Sequence, residues 1–182
     1  MSAQQLKTTF GAIARFETTA ELISAVEKVR AAGYTRYDAY APFPIHGLDH
    51  AKGDKRSILP GFVLVGGMTG TATAVLLCGL TSAVDYPIIV AGKPYFSIEA
   101  FVPIMFELTI LFAAFTALFG MLILNRLPQF YHPVFNNPTF HTRAADDGYF
   151  LVVEASDPLF DPTATLDFLA ELGGRDLDLV EE

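Results

Sequence analysis

The sequence predicts an α+β protein in which a two-helix transmembrane hairpin is inserted into a ferredoxin-like cytoplasmic domain built from both termini. Residues 58–125 contain two long apolar runs that are almost free of charge. Residues 1–57 and residues 126–182 each show a strand, a helix and a strand in succession. Two such β-α-β halves can pair into one four-stranded sheet with two helices on one face, and each half is too short to keep a stable core alone.

The N-terminal half begins with TFGAIARF (Thr9–Phe16), whose β-favouring and apolar residues predict a strand. Thr18, followed by Glu21 three residues later, forms a capping box that predicts the start of a helix. Apolar side chains then recur at helical spacing at Leu22, Val26 and Val29. Gly33 suits the end of this helix, and the alternating YTRYDAYAP (Tyr34–Pro42) predicts a second strand.

Two uncharged runs follow. The first, Ile58–Val84, has 27 residues without an Asp, Glu, Lys or Arg. The second, Phe101–Asn125, has Glu107 as its only charge. A helix of about 20 apolar residues spans the roughly 30 Å hydrocarbon core of a bilayer, so we predict transmembrane helices at 58–84 and 101–125 with a connector at 85–100.

The glycines of the first run, Gly66, Gly67 and Gly70, allow two interpretations. After an apolar strand they would form a phosphate-binding turn, and Asp85 follows at a distance close to the roughly 20 residues typical of a ribose-binding acid. A phosphate site, however, needs a water-accessible helix N-terminus, and the run contains neither GxGxxG nor the lysine of a P-loop. The uncharged setting favours a helix buried in lipid.

Small residues repeat every four positions along the first span, at Gly66, Gly70, Ala74 and Cys78. The second span has a comparable face, formed by Ala113, Ala117 and Gly120. Small residues let helix backbones approach closely in a bilayer, and we therefore predict that these positions pack helices. The sequence leaves open whether the two faces meet each other or the helices of other proteins. Because a two-helix hairpin exposes more surface than it can bury on itself, partners are expected.

The connector contains prolines, a glycine and aromatic residues, which favour a turn at the membrane surface. Basic residues lie mainly beyond the outer ends of the spans, at Lys52, Lys55, Arg56 and Arg126, whereas the connector carries only Lys93. Since Lys and Arg concentrate on the cytoplasmic side, both termini are predicted to be cytoplasmic.

Glu107 is the one ionisable residue within the two spans. A carboxylate inside a membrane is costly and by default a functional candidate. It would either hydrogen-bond a neighbouring helix or take part in a proton path or quinone site. Because neither span offers a second ionisable group, a proton path would have to be completed by a partner.

Residues 126–182 are predicted to be a linker followed by a β-α-β half that repeats the order of the N-terminal half. GYFLVVEA (Gly148–Ala155) predicts a strand. Asp161 caps a helix with Pro162 at its first position, and leucines follow along one side at Leu166, Leu169 and Leu172. Gly173–Gly174 ends the helix, and DLDLVEE (Asp176–Glu182) alternates as a final strand.

The composition favours a membrane protein over an average globular protein and argues against a nucleic-acid-binding protein. The 182 residues are 52% hydrophobic with a mean hydropathy of +0.38, and only 18% are charged, against roughly 25% in average globular proteins. The net charge of −8 argues against nucleic acid as a partner. From Asp146 onward there are eleven acidic residues and one base, Arg175. These acids form either a solvated face or a docking surface for a basic partner.

Cofactor ligands are scarce. Cys78 is the only cysteine, so a disulfide within the chain or a four-cysteine iron–sulfur site is excluded. None of the four histidines lies in a span, which leaves no axial ligand for an intramembrane haem. His46 and His50 have the i, i+4 spacing of a metal site, but Gly47 weakens the helix and a solvated linker is the better interpretation. We expect no catalytic residue, metal or cofactor in this chain.

Several stretches resemble the D-type subunit family of the alternative complex III, the bacterial quinol:electron acceptor oxidoreductase. They are FGAIARFETTAELISAVEKVRAAGY, the glycine-rich first span, FVPIMFELTILFAA and LPQFYHPVFN. The resemblance covers essentially the whole chain and is most specific in FELT and YHPVFN. It implies a small two-helix subunit of the bacterial inner membrane that carries no cofactor. It also implies partner subunits with haems c, iron–sulfur clusters and polytopic quinone-reactive bundles, and it transfers no catalytic residue to this chain.

The sequence therefore supports an accessory membrane subunit that assembles and stabilises a quinol-oxidising complex of a respiratory or photosynthetic chain. The alternative is a subunit that contributes Glu107 to a shared proton path or quinone site. A third class, a free-standing nucleotide-binding enzyme, predicts a chain that stays soluble after membranes are pelleted.

Overall fold

A computed structural model describes residues 9–182, so the first eight residues of the predicted N-terminal half lie outside the described range. The chain forms two compact units. One combines the described residues up to Lys55 with Tyr131–Glu182, and the other comprises Arg56–Phe130. The predicted boundaries at 57/58 and 125/126 lie close to these divisions and stay predictions.

The first unit contains a four-stranded antiparallel sheet with the order β2-β3-β1-β4. Its strands are β1 (Thr9–Phe16), β2 (Tyr37–Tyr40), β3 (Tyr149–Glu154) and β4 (Arg175–Glu181). The two central strands, one from each half of the sequence, are the most apolar, and Ala14 of β1 lies opposite Leu151 of β3. The prediction of a mixed helix and sheet protein with two strands from each end of the chain is confirmed.

Two helices cover one face of this sheet: α1 (Thr19–Ala31) follows β1, and α6 (Pro162–Glu171) follows β3. The side chains of one strand face, including Ala12, Ala14 and Leu151, form a single buried cluster with those of the helices. The helix residues of the cluster include the predicted stripe Leu22, Val26 and Val29, each fully buried. Burial of these side chains is the main contribution to the stability of this half of the domain.

The opposite face of the sheet is covered by chain that the sequence suggested was only a linker. A 3₁₀ turn (Pro133–Asn136) and a short helix pack there. Val134 and Phe140 from these elements join a second buried cluster with Phe150 of β3, and the Phe140 and Phe150 rings lie 5.1 Å apart in an edge-on arrangement. This part of the predicted linker packs on the sheet, because its apolar and aromatic side chains fill the second face.

The remaining helices follow in chain order. They are α2 (Leu48–Lys52), α3 (Leu59–Leu80), α4 (Ile98–Leu124), α5 (Pro138–Arg143), which is the short helix just described, and α6 (Pro162–Glu171). Helix α6 begins as predicted, with Asp161 accepting hydrogen bonds from the backbone N–H groups of Thr163 and Ala164. Of its predicted leucine stripe, Leu169 is fully buried, and Leu166 and Leu172 are half-buried.

The capping of α1 differs in one detail from the predicted capping box. The Thr18 hydroxyl accepts from the Glu21 N–H at 3.2 Å, as expected. The Glu21 carboxylate, however, accepts from the N–H of Glu17 rather than from that of Thr18. The N–H groups of Glu17 and Glu21 at the start of α1 therefore both donate to side-chain oxygens. Gly33 follows the end of α1 with a left-handed φ of +97°.

The second strand is shorter than Tyr34–Pro42 because a buried carboxylate binds its first residues. Asp157 is only 4% exposed and accepts the N–H groups of Thr35 and Arg36 at 2.6 and 2.7 Å. Its other oxygen accepts the Leu159 N–H at 2.8 Å. Burial alone would raise the pKa of Asp157, but these bonds and the Thr35 hydroxyl outweigh it, so that the pKa lies below its usual value of 3.8.

The second unit is a helical hairpin. Helix α3 runs without interruption into a π-helical turn (Thr81–Asp85), and α4 follows after residues 86–97. Both helical segments span 27 residues, and their apolar 18-residue stretches have mean hydropathies of 1.8 and 2.1, so that both are long and apolar enough to cross a membrane. The prediction of two long apolar helices is confirmed, although the second begins at Ile98 rather than at Phe101.

Candidate functional site

The hairpin is the candidate site, because the predicted packing residues and Glu107 all lie in it. Along α3 the buried positions are Gly67, Gly70, Ala74 and Cys78. The small-residue stripe therefore lies against α4, which answers the question that the sequence left open for this face. The glycines sit inside a continuous helix, and a phosphate-binding turn between a strand and a helix is not formed there.

Two glycines of α3 allow backbone approach that any larger residue would prevent. A Cβ added at Gly70 would overlap the carbonyl oxygen of Leu108 and lie 2.8 Å from its carbon. A Cβ at Gly66 would overlap the hydroxyl of Thr116 and lie 2.8 Å from its Cβ. Gly67 is different, since its added Cβ would lie 3.5 Å from the Thr109 methyl, an ordinary contact.

The small residues of α4 are less uniform. Ala113 lies opposite Gly67, with its Cβ 3.8 Å from the position of an added Cβ. Gly120 meets the side chain of Leu59, whose Cδ1 would be 2.8 Å from an added Cβ. Ala117 is half-buried. The closest approach of the two helices is thus at Gly66 and Gly70, because the obstruction there includes backbone or a branched Cβ.

A pair of threonines joins the helices by a hydrogen bond that the sequence did not reveal. Thr71 Oγ1 and Thr109 Oγ1 are 2.6 Å apart across the interface. Each hydroxyl also has a carbonyl acceptor within its own helix: Thr109 Oγ1 lies 2.5 Å from the Met105 carbonyl, and Thr71 Oγ1 lies 3.1 Å from the Gly67 carbonyl. Either threonine can therefore donate the shared bond while the other donates to its own helix. Threonines at facing positions of two apolar helices were the available signal, but their pairing depends on a helix rotation that the sequence does not specify.

Glu107 lies on the face of α4 that points away from α3. Met105 and Thr109 flank it in sequence and are half-buried in the interface, whereas Glu107 is exposed. At about 100° per residue, Glu107 projects roughly 200° around the helix from Met105. Within residues 9–182, no hydrogen bond or ion pair reaches the Glu107 carboxyl group.

Among the described residues, no polar side chain lies three or four positions from Glu107 on the same face of α4 to offset its charge. Its nearest neighbours on the same face are the exposed residues Pro103, Ile104, Ile110 and Leu111. In a bilayer, an acidic side chain near the centre of a helix costs about 2.5–3.5 kcal/mol on the insertion scale. A donor from outside the hairpin would remove most of that cost.

An apolar groove of about 480 Å³ opens between the Leu59 end of α3 and the Leu124 end of α4. Phe62, Phe115 and Phe119 line it, together with Gly66 and Gly120. Glu107 is not among its lining residues. The apolar lining of the groove fits a hydrocarbon group, either a lipid chain or an apolar side chain.

The histidine pair does not form the i, i+4 arrangement that a metal site needs. Gly47, with φ of +92°, precedes α2, so that His46 lies outside this helix and His50 inside it. Both histidines are exposed, as a solvated linker predicts, but the segment itself is more than a linker because Ala51 of α2 is buried against the core. Among residues 9–182, no group of three or more His, Cys, Asp or Glu side chains is placed to hold a metal ion.

Comparison with known families identifies the family of the chain. The family described as "Alternative complex III, ActD subunit" matches residues 10–179, which is nearly the full chain. A comparison with curated proteins found no match.

Proposed function

Because the chain belongs to the ActD subunit family of alternative complex III, we propose that it is a cofactor-free accessory subunit that assembles and stabilises this oxidoreductase in the membrane. Membership makes the chain one subunit of a multi-subunit oxidoreductase and implies other subunits as partners. The proposal adds that the chain catalyses no step alone. Haems c and iron–sulfur clusters would belong to its partners.

The observation that carries this proposal is the exposure of the hairpin. Outward-facing apolar side chains occur along both helices, for example Leu64, Met68, Phe106 and Leu118, which are 48% to 65% exposed. Exposed apolar side chains that extend along a whole surface in this way mark contacts with protein or lipid. A hairpin with such faces is suited to lie in a bilayer beside polytopic, quinone-reactive subunits.

We propose further that the sheet domain has the ferredoxin-like arrangement. The strand order β2-β3-β1-β4, with every neighbouring pair antiparallel, supports it. The shared cluster of α1 and α6 on one face supports it as well. In this topology the hairpin replaces the connection between β2 and β3, and the basic residues flanking it favour a cytoplasmic position for both termini.

Detergent extraction tests the assembly role. Cells that produce the tagged full chain are broken, membranes are pelleted, and the pellet is solubilised in mild detergent for affinity purification. We expect the chain in the pellet and haem-containing subunits in stoichiometric amounts in the eluate. A soluble chain, or one that repeatedly purifies without haem proteins, would rule out the proposal.

A second candidate role is favoured by the position of Glu107 on an outward face. There it is available to a proton path or quinone site that a partner completes. Replacing Glu107 with Gln removes the titratable group while keeping its size. Intact assembly with lost quinol turnover or proton translocation would support this role, and unchanged turnover in the assembled complex would exclude it.

A further inference from the structure

The outer surface of α4 carries a single polar group on an otherwise apolar strip. We name this surface the Glu107 face and define it by its exposed residues, Pro103, Glu107, Ile110, Leu111, Ala114 and Leu118. These residues follow one another at helical spacing, three or four positions apart, and lie opposite the residues that contact α3. No other side chain of the strip has a hydrogen-bonding atom.

The depth of Glu107 limits what can reach it. It is the seventh residue of the predicted span 101–125, so it lies about 9 Å along the helix axis from Phe101. In a hydrocarbon core of roughly 30 Å, that position is inside the apolar region, nearly two helical turns from its edge. Water and lipid headgroups concentrate outside this region, so the Glu107 carboxylate is more accessible to another membrane-embedded chain than to either of them.

We propose that the Glu107 face docks a transmembrane helix of a partner subunit, and that this helix presents a cationic side chain to the carboxylate. Complementary charge is the argument: the strip supplies one negative group and nothing to neutralise it, and charges in membranes are retained when they are paired. The apolar residues above and below Glu107 contact the partner helix on either side of the ion pair. This inference rests on the proposed assembly function and names the chemistry of the partner.

Within residues 9–182, the Glu107 carboxylate makes no hydrogen bond or ion pair that would stabilise the fold. The Glu107 side chain is exposed on the side of α4 away from the contacts that join α3 and α4, which involve Gly66, Gly70 and Thr71. Substitution at Glu107 should therefore leave the hairpin itself intact. A loss of association would report on the partner and not on folding.

The test compares variants of the full chain in the assembled complex. Glu107→Gln keeps size and hydrogen bonding but removes the charge, and Glu107→Ala removes the side chain. Glu99→Gln is the matched control, because Glu99 lies in the first turn of the same helix and accepts a hydrogen bond from Ser97 at 3.1 Å. The amount of the chain retained on the complex is measured against detergent concentration, with thermal unfolding of the separately purified chain as a folding control.

We expect Glu107→Gln and Glu107→Ala to weaken retention about three- to thirtyfold, the range that polar contacts between membrane helices provide. Glu99→Gln should be retained like the original chain, and unfolding of the separate chain should not change. Equal retention of both Glu107 variants would overturn the inference while leaving the assembly function standing. Retention of Glu107→Gln with loss of Glu107→Ala would show a neutral donor and overturn the cationic partner. Failure of the unsubstituted chain to purify with the complex would instead count against the assembly function.

Discussion

Replacement of Gly70 with Ala should open the hairpin, because the obstruction it creates is backbone. The added Cβ would lie 2.8 Å from the Leu108 carbonyl carbon and closer still to its oxygen. An ordinary contact begins near 3.4 Å, and so the helices must separate locally by at least about 0.6 Å, a gap that forfeits a large part of the dispersion energy of the neighbouring contacts. Overpacking of this kind costs about 1–3 kcal/mol.

Gly67→Ala is the matched control on the same helix. Both substitutions bring the same gain in helix propensity, and both positions are buried. At Gly67, however, the new methyl group would meet the Thr109 methyl at 3.5 Å, which is an ordinary contact. The difference between the two variants therefore isolates the backbone obstruction at Gly70.

Cys78 provides the assay. It is the only cysteine of the chain and is buried in the α3 stripe, at 7% exposure. A thiol-reactive fluorogenic dye added to the detergent-solubilised full chain labels it only when the helices part. A destabilisation of about 1–3 kcal/mol predicts roughly five- to 150-fold faster labelling for Gly70→Ala, with Gly67→Ala unchanged or slower. Equal labelling rates in the two variants would refute the reasoning from close backbone approach.

Three further predictions concern other parts of the chain. Thr71→Val and Thr109→Val should each speed dye labelling of Cys78, with a coupling energy of about 0.6–1.7 kcal/mol in the double-mutant cycle; simple additivity of the two effects would contradict the interhelical bond. Asp157→Asn should destabilise the sheet domain by about 1.5–3 kcal/mol at pH 7, because one oxygen that accepts N–H groups is replaced by a donor. Since the folded-state pKa of Asp157 lies below 3.8, its contribution is present above that pH and is lost as the pH falls through the lowered value. The difference between Asp157→Asn and the original chain in urea unfolding should therefore shrink in acid, and a constant difference would show that ionisation is not involved. Phe140→Ala should lower the free energy of unfolding by about 3–5 kcal/mol, as followed by near-ultraviolet circular dichroism of the tyrosines. A loss under about 1 kcal/mol would mean that α5 does not bury the second face of the sheet.

How well the sequence predicted each element depended on whether its signal is local. The bounds of β1 and the first residues of α1 and α6 were predictable because apolar runs, Thr18 and Asp161 act on their immediate neighbours. The later start of β2 was not predictable, since the N–H groups of Thr35 and Arg36, which precede the strand, bind Asp157, more than 120 residues away in the chain. The cover of the second sheet face was missed for the same reason. Its aromatic residues show no helical or strand period, and only the folded sheet gives them a surface to fill.

The two spans show a different limit. A helix that is apolar on all sides has no amphipathic signal to orient it. Glycine and alanine spacing indicated that a packing face exists, but it did not show that Gly67, rather than Gly66, is the fully buried member, or that Thr71 and Thr109 meet. For Glu107, the sequence showed that a carboxylate in the bilayer costs free energy, but it did not show on which side of α4 the side chain lies. Its exposure on the side away from α3 could be seen only once the helix rotation was known.

The two faces of α4 should therefore respond to different perturbations. The face toward α3 depends on steric fit, since its contacts are the close backbone approach at Gly70 and one pair of hydroxyl groups. Substitutions on this face should alter the rate of Cys78 labelling in the separate chain. Association through the Glu107 face depends on charge, since its single polar group has no partner within the described residues. Substitutions of Glu107 should alter only the retention of the chain on the complex. A Glu107 variant that speeds Cys78 labelling in the separate chain would show that the two faces are coupled through α4. In that case, loss of retention could no longer be attributed to the partner helix alone.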